Sequence, residues 1–172
     1  MKKNFLLILM GLISFSGFAQ LDEDFEATPD SPDASGVWTM TSGNWLVKDN
    51  RLNEAPNWEI NPLPTYPANN GTKAAFVNRE NTGQGVYAEE WLITPQRNIP
   101  ANRQLRFFTR QTLVGSPDPG TLYQIRVSSD PVQGNLAAYT VLAEYTEAQL
   151  STITADQLDY EEKVINFDAS VT

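Results

Sequence analysis

The chain has 172 residues, 12 of them basic and 21 acidic, and it contains neither histidine nor cysteine. The acidic balance excludes nucleic acid and anionic lipid surfaces as partners, because both require a basic face. Without histidine or cysteine there is no disulfide staple, no Ser-His or Cys-His nucleophile and no ordinary zinc or copper site, so a domain of this length must hold together through its core.

Lys2 and Lys3 precede a short apolar run at 5–13, and Gly17-Phe18-Ala19 then offers small residues at −3 and −1. This is the pattern of a secretory signal peptide over residues 1–19, with Gln20 opening a mature domain over 20–172. The run is well short of the ~20 apolar residues of a membrane span. The expectation is a secreted or cell-surface protein with no membrane insertion after cleavage. No cysteine follows the cleavage position, so a lipoprotein anchor is excluded. Two of the 12 basic residues lie in this leader, which leaves 10 against 21 acidic ones and a net charge near −11 on the mature chain.

Residues 21–26 alternate acid with apolar and predict either a short first strand or a solvated acidic terminus. Residues 27–36 are loop by composition. Residues 37–41 predict a strand, Ser42-Gly43-Asn44 a turn, and 45–48 the returning strand. Residues 49–71 carry four prolines with Trp58 and Tyr66 among them, a long non-periodic stretch of the kind that packs as an Ω-loop or carries function. Its aromatics form a ligand platform or pin the loop to a sheet. Pinning is the preferred reading, because exposed aromatic patches without a partner are rare.

Residues 73–77 predict a strand of small side chains, and 78–85 a polar turn. The strongest strand signal is residues 86–94, which end at Pro95. Alternation puts Trp91 and Ile93 on one face, and Glu90, Leu92 and Thr94 on the other. Both faces are buriable, as in a central strand. Strands follow at 104–111, at 122–128 (Tyr123, Ile125 and Val127 inward), at 139–145 and at 160–167. Loops occupy 114–120 and 132–137. Residues 146–159 predict either a helix capped by Thr146 or an insert loop. Eight or nine short strands with turn signals between them and little helix predict an all-β antiparallel sandwich or jelly roll. The sequence runs only a few residues beyond its last strand, which leaves an unpaired edge.

In this order the motifs resemble those of the cleaved-adhesin or choice-of-anchor J family of exported Bacteroidetes proteins, MAM-like jelly-roll sandwiches. The resemblance rests on Asp24-Phe25-Glu26, on Trp38 and Trp45 in successive strands, on Ala74-Ala75-Phe76-Val77 and, most specifically, on Glu90-Trp91-Leu92-Ile93-Thr94-Pro95. Leu105-Arg106-Phe107-Phe108-Thr109-Arg110 and Tyr123-Gln124-Ile125-Arg126-Val127-Ser128-Ser129 continue it, so that it covers about residues 24–168. The family continues past the strand at 164–167 with a Gly-rich turn and a further strand, so the expectation is a truncated domain of a larger multidomain chain. The segment before the tryptophan signature is also richer in proline and aromatics than is usual in the family.

The resemblance implies a non-catalytic module for adhesion to, or contact with, a host or matrix protein or a glycan. It also implies a structural Ca²⁺ bound by Glu26 and Glu90, with Asp24, Asn78 and Glu89 as further donors. Ca²⁺ takes six to eight oxygens. The alternative for Glu90 is an ion pair with Arg106 or Arg110. A catalytic role for Glu89 with Glu90 is excluded, because adjacent strand residues point to opposite faces and cannot flank one bond. The acid pairs Asp22 with Asp24 and Glu161 with Glu162 are expected to be solvated. A carbohydrate platform from Trp45, Trp58 and Tyr66 is the second reading, as a binding module serving a hydrolase encoded downstream. Against it, Trp38, Trp45 and Trp91 are expected in the core. Asn70-Gly71-Thr72 is a glycosylation sequon by pattern alone.

Overall fold

The computed structural model describes residues 21–50, 58–60, 68–78, 87–99, 103–112, 121–155 and 158–168. The expected leader, Tyr66 and the loop at 114–120 lie outside them. The described chain is an all-β antiparallel sandwich of nine strands. These are β1 (Val37–Met40), β2 (Gly43–Asp49), β3 (Trp58–Ile60), β4 (Ala75–Val77), β5 (Glu90–Ile93), β6 (Gln104–Thr109), β7 (Leu122–Val127), β8 (Thr140–Thr146) and β9 (Glu161–Asn166). Strands β1, β2 and β5 form one sheet in that order. The others form the ribbons β3–β4, β6–β9 and β7–β8. No helix among the described residues is long and apolar enough to cross a membrane.

The sheet β1-β2-β5 has apolar side chains on both faces. In β1 and β2, Trp38 pairs with Trp45 and Met40 with Gly43. In β2 and β5, Val47 pairs with Leu92 and Leu46 with Ile93. Period-2 alternation therefore gathers Trp38, Met40, Trp45, Val47 and Leu92 on one face. There they form the core with Ile60 of β3, and Leu21, Phe25 and Trp58 pack against it. Trp38 is wholly buried, and its indole Nε1 donates to Pro29 O at 2.8 Å.

The segment before β1 is not a strand. Phe25 sits at φ 63, a left-handed conformation that is strained for an aromatic residue. Its ring meets Trp45 edge-on at 6.1 Å, and its N–H donates to Glu23 Oε1. Glu23 is therefore not a solvated acid. Its Oε1 also accepts from the Thr28 hydroxyl, while Oε2 accepts from Ser42 N–H at 2.9 Å and Ser42 Oγ at 2.7 Å. Ser42 Oγ in turn accepts from Trp45 Nε1, and Arg97 donates to Ser42 O. One carboxylate thus ties the N-terminal segment to the β1–β2 hairpin. The hairpin turn is Thr41-Ser42, one residue earlier than the sequence suggested, because Met40 already pairs with Gly43. At Gly36 (φ 81) a Cβ would lie 2.5 Å from Val47 O, so only glycine fits that crossing.

Strand β3 falls inside the stretch expected to be loop. Its three residues pair with β4, and Ile60 faces Ala75, which explains the small residues there. The helix option at 146–159 is also not taken. A single 3₁₀ turn, Glu147–Gln149, is closed by a capping box between Thr146 and Gln149. Beyond it Ser151 Oγ donates to Asp159 O, and Thr152 N–H and Oγ1 both donate to Glu161. These bonds draw the chain into a loop before a second helical turn can form.

Glu161, expected to be solvated, carries a small buried network. Lys163 lies two residues on in β9, on the same face and buried, and donates to Glu161 Oε1 at 2.6 Å. Its ammonium also lies 5.5 Å from the Tyr145 ring of β8. Phe107 of β6 meets Tyr123 of β7 at 6.3 Å, so the ribbons β6–β9 and β7–β8 pack through these side chains.

Two outcomes follow from this packing. Trp38→Ala removes the one tryptophan with no exposed surface and orphans Pro29 O, and is expected to cost ~3–5 kcal/mol in urea unfolding. A loss below about 1 kcal/mol would show that the core is not centred there. Hydrogen bonding from Lys163, with Thr152, lowers the Glu161 carboxyl to about 2. Its contribution is fully present above its ordinary value of 4.5 and is lost as the pH falls from there towards about 2. The stability gap between the native chain and Glu161→Gln should therefore close as unfolding curves are taken from neutral to strongly acidic pH. A gap that stays constant would remove this pair from the acid response.

Candidate functional site

The second face of the β1-β2-β5 sheet is the site. Alternation sends Leu46 and Lys48 of β2, with Trp91 and Ile93 of β5, to the side away from the Trp38–Trp45 core. Lys48 lies directly opposite Trp91 in the register. Ile93 is buried and Trp91 half-buried, so this face is apolar at one end and open towards Trp91.

A loop from β7 to β8 covers the buried end. Asp130 organises it. Its carboxylate accepts from Val132 N–H at 2.7 Å and from Asn135 Nδ2 at 2.8 Å, and these bonds hold it below its ordinary value. Gln133 then reaches across the sheet and donates to Ile93 O at 2.9 Å and to Asn44 O at 3.4 Å. Gly134 rests against Leu46. Tyr139 closes the loop. Its hydroxyl donates to Gln133 O, and burial, with Asp130 nearby, raises its pKa. Its ring meets Trp91 edge-on at 5.8 Å, a favoured aromatic geometry.

Arg126 of β7 forms the outer layer. Its guanidinium carbon lies 5.2 Å from the Trp91 ring centroid, within cation–π range. Nε and Nη2 both donate to Gln124 Oε1, at 2.8 and 2.6 Å. Gln124 is fixed in turn by donating Nε2 to Glu144, its cross-strand partner on β8. Trp91 Nε1 donates to Glu89 Oε2 at 3.4 Å. One exposed arginine is therefore held between an indole beneath it and an amide beside it.

Of the residues weighed for a carbohydrate platform, Trp45 and Trp58 lie on the core side of the sheet. Trp45 is buried in the core, with its Nε1 on Ser42. Trp58 begins β3 and packs on the core, which is the pinned arrangement; among the described residues its Nε1 is buried without a partner. Trp91, expected in the core with Trp38 and Trp45, lies on the opposite face of their sheet, because β5 presents Leu92 to that core instead.

Among the residues expected to hold Ca²⁺, Glu26 latches the approach to β4. Its Oε1 accepts from Thr72 N–H and Lys73 N–H, and its Oε2 from Thr72 Oγ1 at 2.7 Å. The Thr72 hydroxyl, with the backbone bonds, holds the Glu26 carboxyl below its ordinary value. The hydroxyl of the Asn70-Gly71-Thr72 sequon is thus already engaged. Asp24 accepts from Glu26 N–H, and Asn78 is exposed beyond β4. Glu90 stands directly opposite Asp49 across β2 and β5, a like-charged cross-strand pair that is unfavourable by itself. Of the two arginines expected to pair with Glu90, Arg106 forms an ion pair with Glu162 at 2.8 Å. Arg110 donates to Leu158 O at 2.8 Å and lies over the Tyr160 ring. No group of three or more acids is gathered for a metal ion among the described residues.

Sequence reading missed the grouping of Trp91, Tyr139 and Arg126. Its only trace was the alternation in 122–128, which put Arg126 outward, since the covering element is the loop after β7. No family model, no curated protein and no solved structure matches this chain.

Proposed function

We propose that the chain is an exported, non-catalytic β-sandwich module that makes adhesive or ligand contacts in a secreted or cell-surface protein, of the cleaved-adhesin or choice-of-anchor J kind. The observation that carries this reading is the Trp91–Tyr139–Arg126 face. The sheet satisfies its core with Trp38 and Trp45 on one side, yet it places a third tryptophan on the other under an exposed arginine, held by a clamped loop and two strands. Rigid elements that present aromatic and arginine side chains to solvent suit recognition. The pairing of β2 with β5 and of β6 with β9 joins strands distant in sequence, which supports a jelly-roll order over a simple meander.

The test is a binding screen of the chain over residues 20–172 against a glycan array and immobilised matrix proteins, with Arg126→Ala as the control. A bound ligand whose signal falls at least about tenfold in that variant supports the reading. Binding that ignores Arg126 would move the contact surface elsewhere. The second reading, a carbohydrate-binding module serving a hydrolase, is favoured by the same face if every ligand found is a glycan.

A structural Ca²⁺ remains part of the proposal in a narrower form. Asp49 and Glu90 stand opposite each other across β2 and β5 and together offer two carboxylates towards the six to eight oxygens required. A cation there would relieve their repulsion. Added Ca²⁺ should raise the melting temperature, EDTA should reverse the rise, and Glu90→Gln should abolish it. A melting temperature indifferent to both reagents would exclude the ion.

A further inference from the structure

We infer that the Trp91 face binds a carboxylate-bearing glycan, one that carries uronic or other sugar acids, with Arg126 as the anchoring donor and Lys48 beside it. The inference rests on the ligand-contact reading above and names its ligand class.

The starting observation is one of charge. The mature chain carries about twice as many acids as bases, so a cation without an acidic partner is unexpected. Lys73, Arg106 and Lys163 all pair with carboxylates. Arg126 is exposed, and its polar contacts run to a neutral amide. Lys48 faces Trp91 across the strand pair and makes no ion pair among the described residues. Two acids border the site, Glu89 on the indole Nε1 and Glu144 on Gln124, and neither forms an ion pair with Arg126. Arg126 and Lys48, neither of them in an ion pair among the described residues, therefore flank the same indole.

The second observation is preorganisation. A free arginine loses side-chain entropy when it orders on a ligand. Here Trp91 lies beneath the guanidinium, and Gln124 occupies its Nε–Nη2 edge, leaving the Nη1 side of the fork for a ligand. A planar carboxylate matches guanidinium donors in geometry as well as charge. Trp91 thus acts as a positioning residue, and Arg126 makes the contact.

A glycan is favoured over an acidic peptide for a reason of backbone chemistry. A peptide would most simply add as a strand along β5. Gln133 has already taken Ile93 O on that strand. What remains open is a patch of aromatic rim, guanidinium and ammonium, which suits a sugar ring bearing an acid group.

The experiment measures binding of three ligands to the chain over residues 20–172: a galacturonic acid trisaccharide, its methyl ester and a neutral galactose trisaccharide. A sulfated galactan oligosaccharide and a hexaglutamate peptide accompany them. The acid should bind at least about tenfold tighter than its ester. Arg126→Gln should erase that preference and Lys48→Gln should reduce it. Arg126→Lys keeps the charge but loses the fork, and should restore only part of it. Trp91→Ala should weaken acid binding and Trp91→Phe should restore it, with melting temperatures measured alongside; a binding loss that merely follows the loss of melting temperature would remove the positioning role of Trp91. Equal binding of acid and ester, lost in Arg126→Gln, would overturn the acid specificity and leave the ligand-contact reading standing. Preference for the sulfated chain or the peptide would overturn the ligand class. Absence of binding to every glycan would overturn the inference, while a matrix-protein ligand in the wider screen would still sustain a contact module.

Discussion

The pairing of β2 with β5 is the constraint on which the rest of the structure depends. Once Val47 is set opposite Leu92 and Leu46 opposite Ile93, a one-residue slip would exchange the faces of both strands. Trp45 and Val47 would leave the core, and Trp91 would enter it beside Trp38. The register is held at its ends as well as by side chains. Gly36 O accepts from Val47 N–H, and Asn50 N–H donates to Glu89 O beyond the last pair. The core and the candidate site are thus two consequences of one alignment.

The N-terminal segment fixes this alignment from outside the sheet. Glu23 holds the β1–β2 hairpin through Ser42, Glu26 holds the approach to β4 through Thr72 and Lys73, and Asp30 O accepts from Ile60 N–H of β3. Lys73 returns the connection by donating to Thr28 O. A segment with no strand of its own therefore joins β2, β3 and β4 around the core. The left-handed Phe25 is the point where that path turns, and its ring contact with Trp45 offsets the strain. A chain without disulfides can reach the same effect by closing carboxylate hydrogen bonds around a hydrophobic centre, provided every oxygen finds a donor.

The sequence made the architecture legible and left the site mostly hidden, for different physical reasons. Strands such as β7 and β9 could be read because period-2 alternation is local. Strand β3 was hidden because three residues among prolines carry no period; Ile60 is recognisable only when Ala75 is seen opposite it. The helical signal at 146–159 was a true cap with no helix behind it, because Ser151 and Thr152 were claimed by Asp159 and Glu161 from further along the chain. Acids were misjudged in the same way. Glu23 and Glu161 look solvated in sequence and are structural, since their donors lie 19 residues away at Ser42 and 9 away at Thr152. For Trp91 the alternation was read correctly, but not which face owned the core. That depends on Ile60 and the N-terminal segment covering one side and the loop after β7 covering the other.

The same geometry explains how an acidic domain keeps a cationic contact. On a chain with 21 acidic residues against 12 basic ones, a mobile arginine would find one of many carboxylates. Arg126 is kept from doing so by the layer beneath it. The indole attracts the guanidinium plane, and Gln124, anchored by Glu144, holds one edge. The nearby carboxylate is thereby placed one residue away from the cation, behind a neutral amide. That substitution of an amide for an acid at the point of contact weakens the internal interaction. It leaves the charge of Arg126 directed outward, where a ligand carboxylate would meet a donor already oriented and already partly desolvated by its ring.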